Sequence, residues 1–223
     1  MEIEKIGVFR SPLTGKFGVP RQGGLVRGLR GVVQLEGQWG SAEALRGLEG
    51  YDYVWLIWGF SQNVDTGKHA TVRPPLLGGN ERVGVWATRS SFRPNNLGLS
   101  SLRLIAVDVE RGCIEVEGAD LMDGTPVYDI KPYLSYVDCH EGARGGFTDE
   151  HQWKRLSVCV PEELQDVLTE EKMSVLRELL ALDPRPHYHD DEREYGMSFG
   201  KYNVRFRVVN GCALLTSIRC EHA

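Results

Sequence analysis

The chain has 223 residues, with 26 basic and 31 acidic side chains for a formal charge of −5. Hydrophobic residues at 41% and charged residues at 26% are ordinary globular values, enough for one large domain or a large and a small one. The acidic balance argues against a protein that coats nucleic acid, and no apolar run approaches the roughly 20 residues of a membrane helix.

Five cysteines without a C-x-x-C pair disfavour a disulfide framework or structural zinc, and no signal segment opens the chain, so a reduced cytoplasmic setting is expected. Charge is uneven. Lys5 to Arg30 holds six basic residues and no acid, whereas Glu141 to Glu194 holds fourteen acids against seven bases. The first half could present a positive face while the second keeps the protein soluble.

Glu4–Arg10 reads as a first strand ended by Pro12. Residues 12–24, PLTGKFGVPRQGG, form a connector that is either flexible or a backbone cradle. It lacks the spacing of a P-loop. Pro20-Arg21-Gln22 puts a rigid residue before a guanidinium and an amide, a clamp for a small polar ligand or an exposed turn. Val32–Leu35 suggests a short strand, and Ser41 caps a helix over Ala42–Leu48 closed by Gly50. Tyr51–Phe60, YDYVWLIWGF, predicts a central strand buried on both faces, with Trp55 and Trp58 in the core.

Ser61–Glu81 is a long polar loop, the kind that is usually functional or disordered. Val83, Val85 and Ala87 then alternate with Gly84, Trp86 and Thr88 as in a half-buried strand. The decapeptide Arg89–Gly98 follows, restricted by Pro94 and Gly98. Its Arg89 and Arg93 offer planar forks for carboxylate or phosphate, or stand as surface arginines of a solvated loop. Leu99–Val109 and Cys113–Val116 are strands around an Arg111-Gly112 turn. Asp123-Gly124-Thr125-Pro126 is a turn before a strand over Val127–Tyr133, in which Asp129 and Lys131 share a face.

Residues 141–150 read as a linker, Trp153–Val160 as a strand, and Pro161 opens a helical stretch reaching Leu180 that Asp183-Pro184 stops. Asn210-Gly211 between Tyr202–Val209 and Ala213–Ile218 is a hairpin turn. Arg205 and Arg207 on that hairpin form a solvated edge or an RNA-facing strip. Strand following strand, with almost no helix before residue 162, excludes a doubly wound sheet. It predicts a mainly β fold, a β-barrel with a small C-terminal α+β domain. We divide the chain into a barrel over residues 1–140 and a smaller part over 150–223. No G-x-G-x-x-G follows the first strand, so a nucleotide-like cofactor is not held in the Rossmann manner.

His187-Tyr188-His189 with Asp190-Asp191 supplies metal-ligand types but no ligand spacing, and no metal is expected. No G-x-S-x-G elbow supports hydrolase chemistry, and Cys139-His140 are adjacent in sequence, a placement that seldom converges.

The segments PLTGKFGVPRQ, GLEGYDYVWLIWGF, TVRPPLLGGN, VGVWATRSSFRPNNLGLSSLRL and DGTPVYDIKPYL, with DPRPHY and YNVRFRV later, resemble in order and spacing the TsaA-like family of tRNA methyltransferase O. The resemblance implies a single-sheeted barrel that acts as a homodimer. It implies S-adenosylmethionine as the cofactor and methylation of N6 of threonylcarbamoyladenosine, just 3′ of the anticodon of tRNA. It further implies a cofactor site of Pro20, Arg21, Gln22, Ser61, Gln62, Arg89 and Leu99, closed by Asp123, Gly124, Thr125 and Pro126. Asp129 or Asp123 is a candidate general base, with Lys131 stabilising charge on the carbamoyl oxygen. Two positions depart from the family pattern: Asn96 stands where a proline is usual, and Ser61 where a histidine is common. A non-catalytic cofactor- or RNA-binding barrel, or a methyltransferase with another substrate, are the other readings.

Overall fold

A computed structural model describes residues 2–62, 69–186 and 193–221. In chain order its strands are β1 (Gly7–Arg10), β2 (Arg30–Leu35), β3 (Tyr53–Gly59), β4 (Thr71–Val72), β5 (Val83–Gly84), β6 (Leu97–Asp108), β7 (Cys113–Glu117), β8 (Thr125–Pro132), β9 (Ser157–Cys159), β10 (Tyr195–Phe199), β11 (Tyr202–Val209) and β12 (Cys212–Cys220). The helices are α1 (Ala42–Leu45), α2 (Ser135–Asp138), α3 (Phe147–Glu150) and α4 (Glu170–Ala181). Strands in the order β1-β2-β7-β6-β3-β8 close into an antiparallel barrel, because β1 pairs with both β2 and β8. The expected mainly β fold is present.

Alternation explains the barrel. Phe9, Val33, Val54, Leu56, Trp58, Leu102, Ile114, Val116 and Val127 all point inward and are buried together. Each such side chain contributes about 1.5–3 kcal/mol when fully removed from water. β3 pairs with β6 on one side and β8 on the other, so it is central, as its composition suggests. It is not buried on both faces, however. A closed barrel has only one inside, and Tyr53 is exposed while Trp55 and Ile57 lie half-buried on the outer face. Trp58 is a core residue. Trp55 instead packs beside Tyr133 and donates Nε1–H to Asp138 at 3.0 Å.

The alternating stretch at 83–88 is also shorter as a strand than its pattern suggests. Only Val83 and Gly84 pair, with Val72 and Thr71, and residues 85–87 turn into a 3-10 helix. Hydrogen bonds from Arg93 Nη1 to Thr88 O (2.7 Å) and from Thr88 Oγ1 to Val85 O (2.9 Å) hold that turn against the propensity of its residues. Gly98 belongs to β6 rather than to the loop. A Cβ there would lie 2.4 Å from the Trp58 ring, so the glycine lets the indole lie flat on the neighbouring strand. The helix at 42–48 stops at Leu45, because Gly47 adopts φ 85°.

A second sheet, β10-β11-β12-β9, packs under α4. Its hairpin turn uses Asn210 at φ 49° and Gly211 at φ 75°, the left-handed geometry that this dipeptide supplies. β9 is only three residues long and runs parallel to β12, so most of the strand expected over 153–160 is irregular. The helical stretch breaks in two, with Thr169 Oγ1 capping α4 through the Lys172 amide. The connector is packed down: Leu13 enters the second core beside Leu176, Leu179 and Phe206, Phe17 and Val19 pack against it, and Val26 and Leu29 follow just after. Gly24 donates to Gly118 O of the barrel, and Gly200 donates to Pro12 O. The connector is thus clamped between the two sheets.

Candidate functional site

Four elements surround one open cleft of about 1970 Å³. They are the connector, the barrel rim (the ends of β3 and β6 with the stretch from Asp120 to Thr125), the segment around residues 145–155, and a flap over residues 69–96 carried by the β4–β5 pair. Pro20, Arg21, Gln22, Ser61, Gln62, Arg89, Leu99 and Thr125 all line it. Residues more than 100 positions apart therefore meet in one place.

The contacts fix several of these side chains. Arg89 Nη1 donates to Gln22 Oε1 at 2.7 Å, joining the loop before β6 to the connector. Lys16 Nζ donates to the carbonyl of Gln62 at 2.7 Å. The Phe60 amide bonds to Asn96 O at 2.8 Å, and Asn96, at φ 49°, donates its own amide to Arg93 O. A proline has neither that φ nor that N–H, so the departure at Asn96 gives this loop its own turn.

Arg21 is placed differently from a free fork. Its Nη1 and Nη2 donate to the carbonyls of Leu182 (2.6 Å) and Asp183 (2.8 Å) at the C-terminal end of α4, and its guanidinium stacks 3.9 Å from the Trp153 ring. Burial lowers its pKa, with Asp183 opposing the shift. These bonds use the guanidinium as a strut between connector and second sheet. Arg93 is likewise turned inward, onto Val85 O and Thr88 O, so Arg89 is the arginine best placed to meet a bound carboxylate.

Asp123, Gly124 and Pro126 do not line the cleft. Asp123 Oδ1 accepts the Ser11 amide at 3.1 Å, Gly124 takes the turn at φ 77°, and Pro126 already pairs with Val8 in the barrel. Asp129 and Lys131 form an exposed 3.0 Å ion pair on the outer face of β8. In register they stand opposite Ile57 and Trp55, whose other neighbours are Leu99 and Ser101. Trp55 and Leu99 line the cleft, so the pair borders it one strand away. Among the described residues no group of three histidine, cysteine or acidic side chains could hold a metal; the His187–Asp191 segment lies outside them.

Sequence reasoning missed the carboxylate set deepest in this wall. Asp120 lines the cleft and accepts the Ser100 hydroxyl at 2.6 Å, and Ser100 in turn accepts Trp58 Nε1–H at 3.0 Å. Burial raises the Asp120 pKa, against the lowering effect of Ser100, backbone amides and Arg89. The available signal was an acid inside the otherwise buried run Ala119–Leu121. A guanidinium, a half-buried carboxylate, an amide and apolar surfaces at Leu99 and Trp58 suit one ligand type. Such a ligand carries an anionic group, a cationic group and a flat heterocycle.

Residues 8–139 match the model of the tRNA-methyltransferase O N-terminal domain, and residues 153–221 that of the TrmO C-terminal domain. The chain is 40% identical over 220 residues to a tRNA (adenine(37)-N6)-methyltransferase of Escherichia coli (strain K12), covering 94% of each. It is 38% identical over 212 residues to a Pseudomonas aeruginosa protein provisionally named S-adenosylmethionine-dependent methyltransferase RcsF, covering 92% of this chain and 91% of that one. The crystal structure of TrmO from Pseudomonas aeruginosa superposes with a TM-score of 0.78 at 30% identity, covering 98% of both chains.

Proposed function

This chain belongs to the tRNA-methyltransferase O family and is an S-adenosylmethionine-dependent tRNA methyltransferase, and we propose that it methylates N6 of threonylcarbamoyladenosine beside the anticodon. The cleft joining Gln22, Arg89 and Asp120 is the observation that carries the reading. Arg89 suits the carboxylate of S-adenosylmethionine, and Asp120 its cationic end. The Gln22 and Gln62 amides suit the adenine edges, with Leu99 against the ring. When bound, S-adenosylmethionine supplies an electrophilic methyl group on a sulfonium.

The side chains of this chain contribute mainly orientation and the exclusion of water. Arg89 and Gln22 fix each other, and Lys16 ties the connector to the end of β3, so the cleft wall is set before substrate arrives. Asp129, at the cleft's border, is the candidate to take the proton from the carbamoylated nitrogen, and Lys131 the candidate to meet the carbamoyl oxygen. The work divides between the barrel, residues 1–140, and the smaller part, 150–223, with Arg21 as the strut between them.

A homodimer is supported by the exposed apolar side chains Tyr51, Tyr53, Tyr136 and Val137, which a second copy would cover. Five free cysteines fit the reducing cytoplasm, and among the described residues no helix is long and apolar enough to cross a membrane. Nucleoside analysis of tRNA from a deletion strain tests the substrate. The methylated threonylcarbamoyl nucleoside should vanish and its unmethylated precursor accumulate. Loss of a different methylated nucleoside would redirect the assignment.

A further inference from the structure

Several of the chain's basic side chains stand beside an acid, among them those of the two basic runs the sequence offers as positive faces. Lys5 pairs with Glu36 (2.7 Å), Arg10 with Asp123 (3.7 Å), Arg30 with Glu115 (3.2 Å) and Arg103 with Glu117 (3.4 Å). The arginine strip on β11 is neutralised too, since Glu194 meets both Arg205 (3.1 Å) and Arg207 (3.9 Å). Neither the N-terminal run of bases nor the hairpin strip is therefore an open positive face.

The flap differs. Residues 69–96 hold Arg73, Arg82, Arg89 and Arg93 against the single acid Glu81, in a protein of net charge −5. Among the described residues none of these four arginines has a carboxylate within 4.0 Å. The same flap carries two exposed aromatics, Trp86 at 71% and Phe92 at 40% exposure. Trp86 is also rigidly mounted: its neighbour Val85 is buried, the Arg93 bonds lock the turn beneath it, and the Arg93 guanidinium lies 5.3 Å from its ring. Arg82 is held in place by a 2.9 Å bond to Thr71.

Unpaired positive charge interleaved with a fixed, open aromatic plane is the combination that binds single-stranded nucleic acid. Packing gives no reason to spend a tryptophan at so exposed a position. An aromatic plane reaches a base only where the strand is unstacked, as in a loop, and not within an A-form helix. The flap also forms one wall of the cleft, so a strand gripped there has a base at the cleft mouth.

From these contacts we infer that the 69–96 flap is the surface that grips the single-stranded loop of the tRNA substrate. Trp86 stacks on a base of that loop, and Arg73 and Arg82 meet its phosphates. The inference deepens the proposed function and rests on it.

Filter binding of bulk tRNA to the full chain across a salt series tests it, run beside methyl transfer by the unaltered protein. Trp86→Ala should weaken tRNA binding roughly tenfold or more, and Trp86→Phe, which keeps a plane, should restore most of it. Arg73→Ala should reduce the slope of log affinity against log salt by about 0.7, one phosphate contact on a single strand. Arg205→Ala with Arg207→Ala should bind as the unaltered chain does. The inference is overturned if Trp86→Ala and Arg73→Ala bind tRNA as tightly as the unaltered chain. It is equally overturned if Trp86→Ala changes only the oligomeric mass, which would make the flap a contact for a second copy. An unaltered chain that transfers no methyl group to tRNA would instead remove the functional reading beneath it.

Discussion

Ser100 gives its hydroxyl hydrogen to Asp120 Oδ1 at 2.6 Å, and this bond sets an acid of β7's trailing loop into the wall of the cleft. Because burial outweighs that bond, the folded-state pKa of Asp120 lies above its ordinary 3.8. An acid whose pKa rises on folding favours the folded state while protonated. Its contribution is complete below the unfolded pKa and is lost as pH rises through the folded one. Asp120→Asn should therefore gain stability relative to the unaltered chain as pH climbs out of the acid range. Ser100→Ala should move the loss to higher pH. Thermal melts of the three proteins across pH check both shifts.

Arg21 spans two carbonyls at the end of α4, and its removal leaves both without their charged donor. Arg21→Ala should cost about 2–3 kcal/mol in urea unfolding. Arg21→Lys should recover little of it, because an ammonium lacks the planar fork that reaches two carbonyls together. Full recovery by lysine would mean that charge alone matters at this strut.

Gly98 supports the Trp58 ring, where any Cβ would collide with three ring atoms. Gly98→Ala should destabilise the chain by about 1–3 kcal/mol through displacement of the indole. Since Trp58 Nε1 bonds Ser100, the near-ultraviolet signal of the tryptophans should change as well.

Asp129 and Lys131 pair with each other at the border of the cleft. A positioned proton acceptor contributes on the order of 100-fold or more to a chemical step, and Asp129 is proposed for that role. Asp129→Asn should lower the single-turnover methylation rate by that factor at saturating cofactor and tRNA, and Lys131→Ala should lower it less. Unchanged rates for both would take the pair out of the chemistry.

Local pattern carried the barrel's strands and the hairpin, because alternation and turn chemistry are read from neighbours in sequence. Val204, Phe206 and Val208 alternate into the core, and Asn210-Gly211 turns the chain between their strands. Pattern misled at β3, where Trp55 and Ile57 are as apolar as inner residues yet lie on a half-covered outer face. It misled again at Val85–Ala87, where side-chain bonds from Arg93 and Thr88 to the backbone override alternation. Arg21 looked like a ligand fork because nothing nearby in sequence reveals its partners, 161 and 162 residues away. Asp120 went unnoticed for a related reason: an acid in an apolar run has meaning only once Ser100 and the cleft are seen together.

Crystals of the chain grown with S-adenosylhomocysteine, the product of methyl transfer from the cofactor, measure most directly whether this cleft is the donor site. The ligand should lie between the flap and the connector, with its carboxylate on Arg89 and its amino group towards Asp120. Density for it elsewhere on the barrel, with the Arg89–Gln22 contact untouched, would contradict that assignment.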